Sequence, residues 1–146
     1  MTKIHHSAIC VGNIEASLRF WQEGLGFVQL MDSEFEGDWP ALFAAGTTRL
    51  RSVFLGDPAD QSSGIVELVD FGAPLAGSAM PHGPTSGFFL LSVVTDVNAA
   101  LARLDRLGLG GTPRRTRAYG VDMAVVVEPS GVRVELIDRD TAELSQ

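Results

Sequence analysis

Two glutamates set the chemistry available to this chain. Glu67 lies in Val66-Glu67-Leu68-Val69-Asp70, and Glu135 lies in the near copy Val134-Glu135-Leu136-Ile137-Asp138. Side chains of a strand alternate between faces, so each copy buries its Val/Leu pair and turns its glutamate to the other side, beside Ile65 and Val69 or Arg133 and Ile137. A carboxylate among apolar strand neighbours is costly unless it is paired, protonated or bound to a metal. Two of them at matching places in a repeat point to a shared site. Held instead in buried ion pairs, they would draw on Arg51, Arg133 or Arg117.

Other residues could complete such a site. Arg114, Arg115 and Arg117 are the one dense basic run in an acidic chain, and Tyr119 follows closely. The run reads either as a solvated edge strand blunted by charge or as a clamp for a carboxylate or a phosphate on a substrate, with Arg117 and Tyr119 as binding residues. Trp39, Phe43 and Phe89 are either plain core or the wall of a pocket, with Trp39 placed to act as a lid. The single cysteine, Cys10, sits in an apolar run and is expected in the core.

The 146 residues carry a net charge of -7 and a pI of about 4.8, the wrong sign for broad contact with nucleic acid or an anionic membrane. Neither partner is expected. One cysteine allows no internal disulfide, the N-terminus lacks a signal-peptide pattern, and apolar runs stay well short of the roughly 18 residues of a membrane span. A cytoplasmic protein is the expectation, with a small molecule as its partner.

The elements that must position these residues fall into a repeated order. Residues 4–11 read as a strand, Ile14, Leu18, Trp21 and Leu25 as a helix ended by Gly24 and Gly26, and 27–31 as a second strand. An acidic loop at 33–37 precedes a short helix, Trp39 to Phe43, and then strands at 50–55 and 64–71. The Gly, Ala, Pro and Ser content of 73–87 marks a linker. The order then restarts: a strand at 88–94, a helix with the stripe Val97, Leu101, Leu104 and Leu107, and strands at 112–119, 123–127 and around Glu135. The prediction is an α+β fold of two βαβββ modules in a single domain, 1–146. Module one spans 1–72, module two spans 88–138, and 139–146 is a polar tail. Counting supports the repeat, since 61 residues separate His6 from Glu67 and 46 separate Phe89 from Glu135. The difference of 15 is about the acidic loop and the Trp39 helix.

Specific motifs carry a resemblance. The opening His6-Ser-Ala-Ile-Cys-Val11, then Asn13-Ile14-Glu15-Ala16-Ser17-Leu18 with Phe20-Trp21, then Leu25-Gly26-Phe27, and finally Glu128-Pro129-Ser130-Gly131 leading to Glu135, resemble the vicinal oxygen chelate superfamily. That superfamily includes glyoxalase I, methylmalonyl-CoA epimerase, bleomycin-resistance proteins and extradiol dioxygenases. The resemblance implies a cupped, incompletely closed eight-stranded barrel with helices outside, usually in a homodimer.

It also implies a metal centre. Carried over residue by residue, the ligands are His6, Glu67 and Glu135, and Phe89 stands where a second histidine would be. One imidazole and two carboxylates would hold Mn²⁺, Fe²⁺, Ni²⁺, Co²⁺ or Zn²⁺ with positions left open for substrate. His82 in the linker is a candidate replacement ligand, and His5 is expected on the opposite face from His6. The implied function is an isomerase, epimerase or lyase that forms an enolate-like intermediate on a small oxygenated substrate, with Glu135 as base. The alternative is a binding protein that sequesters an antibiotic or another small molecule, with Phe89 and the other aromatics as its pocket and any metal role lost. An extradiol dioxygenase fits less well, since its sites use two histidines.

Overall fold

The computed structural model describes residues 1–75 and 83–138. His82, part of the linker and the polar tail lie outside the described residues. The first module runs β1 (His6–Cys10), α1 (Ile14–Leu18), β2 (Val28–Glu36), α2 (Trp39–Phe43), β3 (Arg49–Gly56) and β4 (Ile65–Asp70). The second runs β5 (Leu91–Thr95), α3 (Val97–Leu107), β6 (Gly110–Ala118), β7 (Val121–Val127) and β8 (Arg133–Asp138). Each module forms one four-stranded sheet, ordered β1-β4-β3-β2 and β5-β8-β7-β6. The first strand of each pairs in parallel with the last, and the other neighbours are antiparallel. The two sheets do not close, so the predicted two-module, incompletely closed architecture stands.

Local sequence explains the helices. Asn13, Asp38 and Asp96 accept hydrogen bonds from the backbone N–H three residues on, which caps α1, α2 and α3. Gly108 ends α3 in the left-handed conformation. After Leu18 the first helix widens into a π-helical turn, Arg19–Gly24. The neighbours Phe20 and Trp21 are both fully buried there, and the wider turn brings adjacent bulky side chains nearer one face.

Val66 and Leu68 of β4 and Val134 and Leu136 of β8 join one core with Val53, Leu55, Ala124 and Val126. Phe20, Trp21 and Leu104 fill the same core from the helices, so both modules share it. Glu67 and Glu135 alternate with these core residues and face away from α1 and α3. Where the modules meet, Arg103 Nε donates to the Gly24 carbonyl at 2.9 Å.

Several boundaries differ from expectation. β2 continues through Ser33 to Glu36, where a loop was predicted, because Glu34 and Glu36 pair across to Arg51 and Arg49 in the antiparallel ladder. β5 begins at Leu91 rather than at 88. Ala8 lies opposite Glu67 and Ser92 opposite Glu135, so two residues back along each strand His6 corresponds to Leu90. Phe89 is therefore one residue out of place as the counterpart of His6. The uniformly apolar run 88–91 conceals its own parity, and only pairing with β8 fixes it. Leucine cannot coordinate either.

Candidate functional site

The face of the first sheet turned away from α1 is a cup of about 690 Å³. β1 contributes Ala8 and Cys10, β3 contributes Leu50 and Ser52, and β4 contributes Glu67 and Val69. Trp39 and Phe43 of α2, stacked with ring centroids 5.7 Å apart, make one wall with Phe35 and Phe71. The Trp39 indole N–H donates to the Phe35 carbonyl, which ties the inserted helix to β2.

The polar groups of this cup are few and adjacent. Ser52 Oγ donates to Glu67 Oε2 at 2.5 Å, and His6 Nε2 lies 3.4 Å from Glu67 Oε1. His5 precedes the first paired residue of β1 and swings beside His6, with 2.9 Å between their Nδ1 atoms. The expected opposition of the two rings does not hold, because alternation starts only where the strand is paired. One Nδ1 must donate and the other accept, so this contact links the tautomers of the two rings. When His6 donates from Nδ1, its Nε2 presents a lone pair beside Glu67.

Cys10 is exposed and shares this face with His6 and Ala8, while its neighbour Ile9 enters the core. This corrects the expectation of a buried cysteine, and counting by twos from His6 is the signal that locates it. Partial burial and the neighbouring Glu67 charge push its thiol above the ordinary value. Serine 52 was not anticipated at all. Its hydroxyl is visible only once β3 is registered against β4.

The second sheet turns Glu135 to its own helix-free face. Ser92 Oγ donates to Glu135 Oε1 at 2.9 Å. Arg133, two residues earlier, shares that face, and its guanidinium lies 5.5 Å over the Phe89 ring. The ion pairs weighed for the glutamates take other forms: Arg51 binds Asp32 through two hydrogen bonds and approaches Glu15, on the helix side. Arg117 also belongs to the helix side, where it meets Asp122 and the Gly120 carbonyl. Tyr119 is fully exposed at the tip of the β6–β7 hairpin, where Tyr119 and Gly120 both take positive φ. Neither lines the Glu135 face. Arg114 does, opposite Val125, which is itself opposite Glu135.

Among the described residues no three His, Cys, Asp or Glu side chains converge. The described residues of one chain therefore present His6 and Glu67 as a pair, with Glu135 on the neighbouring sheet, and do not by themselves fit a metal ion.

The chain belongs to the Glyoxalase/Bleomycin resistance protein/Dioxygenase superfamily, whose sequence profile matches residues 3–136. A lactoylglutathione lyase-like protein of Aspergillus terreus, terB, is 35% identical over 147 residues, covering 93% of this chain and 75% of the relative. Among solved structures, a glyoxalase family protein from Bacillus cereus matches with a TM-score of 0.75 at 16% identity, over 94% of both chains. The trypanothione-dependent glyoxalase I of Leishmania major matches with a TM-score of 0.70 at 22% identity, over 99% of this chain and 92% of its own. TnmS3, an antibiotic binding protein from a Streptomyces species, matches with a TM-score of 0.61 at 20% identity, over 94% and 96%. At such identities the structures speak for the fold alone. No helix among the described residues is long and apolar enough to cross a membrane.

Proposed function

We propose that this protein is a lyase or isomerase of the glyoxalase type, acting on a small oxygenated substrate in the cytoplasm, with its site assembled between two copies. One observation carries the reading. Glu67 and Glu135 hold matching positions in the two sheets, both face away from the shared core, and each accepts a hydrogen bond from a serine hydroxyl with no Lys or Arg paired to it among the described residues. A hydroxyl donor leaves a carboxylate free to move a proton or to act as a ligand.

Two copies laid with these faces together would bring Glu135 of a second copy against His6 and Glu67. Phe35, Phe43, Phe89, Val94 and Val127 are exposed on or beside the same faces and would be covered. The donors would then number three, one imidazole and two carboxylates, suited to Mn²⁺, Fe²⁺, Ni²⁺, Co²⁺ or Zn²⁺. Held there, such an ion would supply a Lewis acid for substrate oxygens. Glu135 takes the proton alpha to the carbonyl, Ser92 keeps its carboxylate aimed, and the Trp39 and Phe43 wall excludes water from the cup.

A second reading is favoured by the apolar character of the cup and the lack of a third converging donor among the described residues: a binding protein that holds an aromatic guest against Trp39, Phe43 and Phe71 without chemistry. Untagged protein separates the two. The enzyme reading expects a homodimer by light scattering, an upward melting shift with Mn²⁺, Ni²⁺ or Zn²⁺, and metal-dependent turnover of lactoylglutathione, the compound in the relative's name. Glu135→Gln should abolish shift and turnover together. A folded dimer showing neither would pass the lead to the binding reading.

A further inference from the structure

The helix-free face of the second sheet holds a hollow of about 470 Å³, lined by Pro84, Phe89, Thr112, Arg114, Val127 and Arg133 among others. Its two cations differ from the four described cations that are held in ion pairs. Arg19, Arg49, Arg51 and Arg117 meet carboxylates, and Arg115 donates to the Asn98 amide. Among the described residues neither Arg114 nor Arg133 meets a carboxylate. Arg133 donates only to the Gly83 carbonyl, at 3.4 Å, and leans over the Phe89 ring.

Register fixes where these charges stand. Arg114, Val125, Glu135 and Ser92 form one row across β6, β7, β8 and β5, all on the same face. With strands about 4.8 Å apart, the Cα of Arg114 lies roughly 10 Å from that of Glu135, and Arg133 lies about 7 Å away along β8. Two guanidinium groups line a hollow whose other side chains are apolar apart from Thr112, in a chain of net charge -7. Among the described residues neither guanidinium is paired with a carboxylate, so the hollow offers two cations to an anionic group that enters it.

We infer that this hollow is the subsite for a carboxylate on the ligand, held by Arg114 and Arg133, with the ligand's apolar body against Phe89, Val125 and Val127. A planar carboxylate matches the guanidinium fork in two parallel hydrogen bonds. The inference rests on the proposed function in one respect: it makes the substrate an organic acid whose carboxylate sits about one side-chain length from Glu135. Thr112 adds a hydroxyl at the rim.

The test is binding, run on metal-free full-length protein, so that its failure is separate from failure of the lyase reading. Phenylacetate, phenylacetamide and phenyl phosphate are titrated by calorimetry at low and high salt. Phenylacetate should bind at least roughly tenfold more tightly than its neutral amide, as loss of a charged hydrogen bond implies, and should weaken with salt. Arg114→Gln and Arg133→Gln should each lose about tenfold in phenylacetate affinity while the amide is unaffected. Arg114→Lys keeps the charge but not the fork and should fall between. Equal binding of acid and amide overturns the inference. So does a phosphate ester bound tenfold more tightly than the acid, or variants that dissociate a dimer while phenylacetate binding is unchanged.

Discussion

Gly24 and Leu104 touch where the two modules join: a β-carbon added to Gly24 would stand 2.5 Å from Leu104 Cδ2. Leu104 is only 2% exposed, so it sits inside the packed core. Gly24→Ala should therefore cost about 1–3 kcal/mol as an overpacking defect, read as a lower urea midpoint with the slope unchanged. An unchanged midpoint would mean that the joint is looser than this contact.

Register gives a sharp prediction for the site. Leu90→His places an imidazole at the position matching His6 and should tighten Ni²⁺ or Zn²⁺ binding by at least the roughly 10–100-fold that outer-shell partners alone contribute. Phe89→His, one residue away, should not. Equal gains in the two variants, measured by competition with a chelating dye, would show that β5 slips against β8.

Asp32 and Arg51 give the stability curve an acid limb. The two hydrogen bonds from Arg51, at 3.0 and 2.8 Å, hold the Asp32 carboxyl below its ordinary value of 3.8. A depressed carboxylate stabilises the fold fully above the unfolded value, and that contribution is lost as pH falls through the folded one. Asp32→Asn should be less stable than the parent at pH 7 by about 1 kcal/mol or less, as the pair is partly solvated. The gap should close below pH 3.8 in urea titrations.

Cys10 should react slowly for an exposed thiol. Its raised pKa leaves less thiolate at neutral pH, and the Glu67 charge is one cause. Iodoacetamide labelling at pH 7.5 should be slower than that of free cysteine and faster in Glu67→Gln. Because Cys10 lines the cup, a bound guest should protect it. Labelling of Glu67→Gln at the parent rate would remove Glu67 from the electrostatics of this face.

How far the sequence carried depended on whether side-chain parity was visible in it. Val66 and Leu68 flank Glu67 as Val134 and Leu136 flank Glu135, so the core, the repeat and the outward turn of both glutamates could be read by counting. Phe88 to Leu91 is apolar throughout, and the bulge in β6 before Arg114 breaks the count, so Phe89 was taken for Leu90 and Arg117 for Arg114. Ser52 and Ser92 carry no signal until a partner strand places them beside a carboxylate. His5 escaped alternation because alternation needs a paired strand.

The common core imposes a schedule on synthesis. Trp21 and Phe20 are covered by α3, yet Leu104 follows Trp21 by 83 residues. At about 5–20 residues per second, a ribosome leaves those two aromatic side chains without their final cover for roughly 4–17 seconds. β1 waits too, since its only partner strand is β4. The nascent first module is thus an apolar surface with an open strand edge, a form that holdase chaperones recognise and that self-associates when crowded. A fragment ending at residue 75 should accumulate as aggregate, and adding the second module in trans should rescue it only when supplied before collapse.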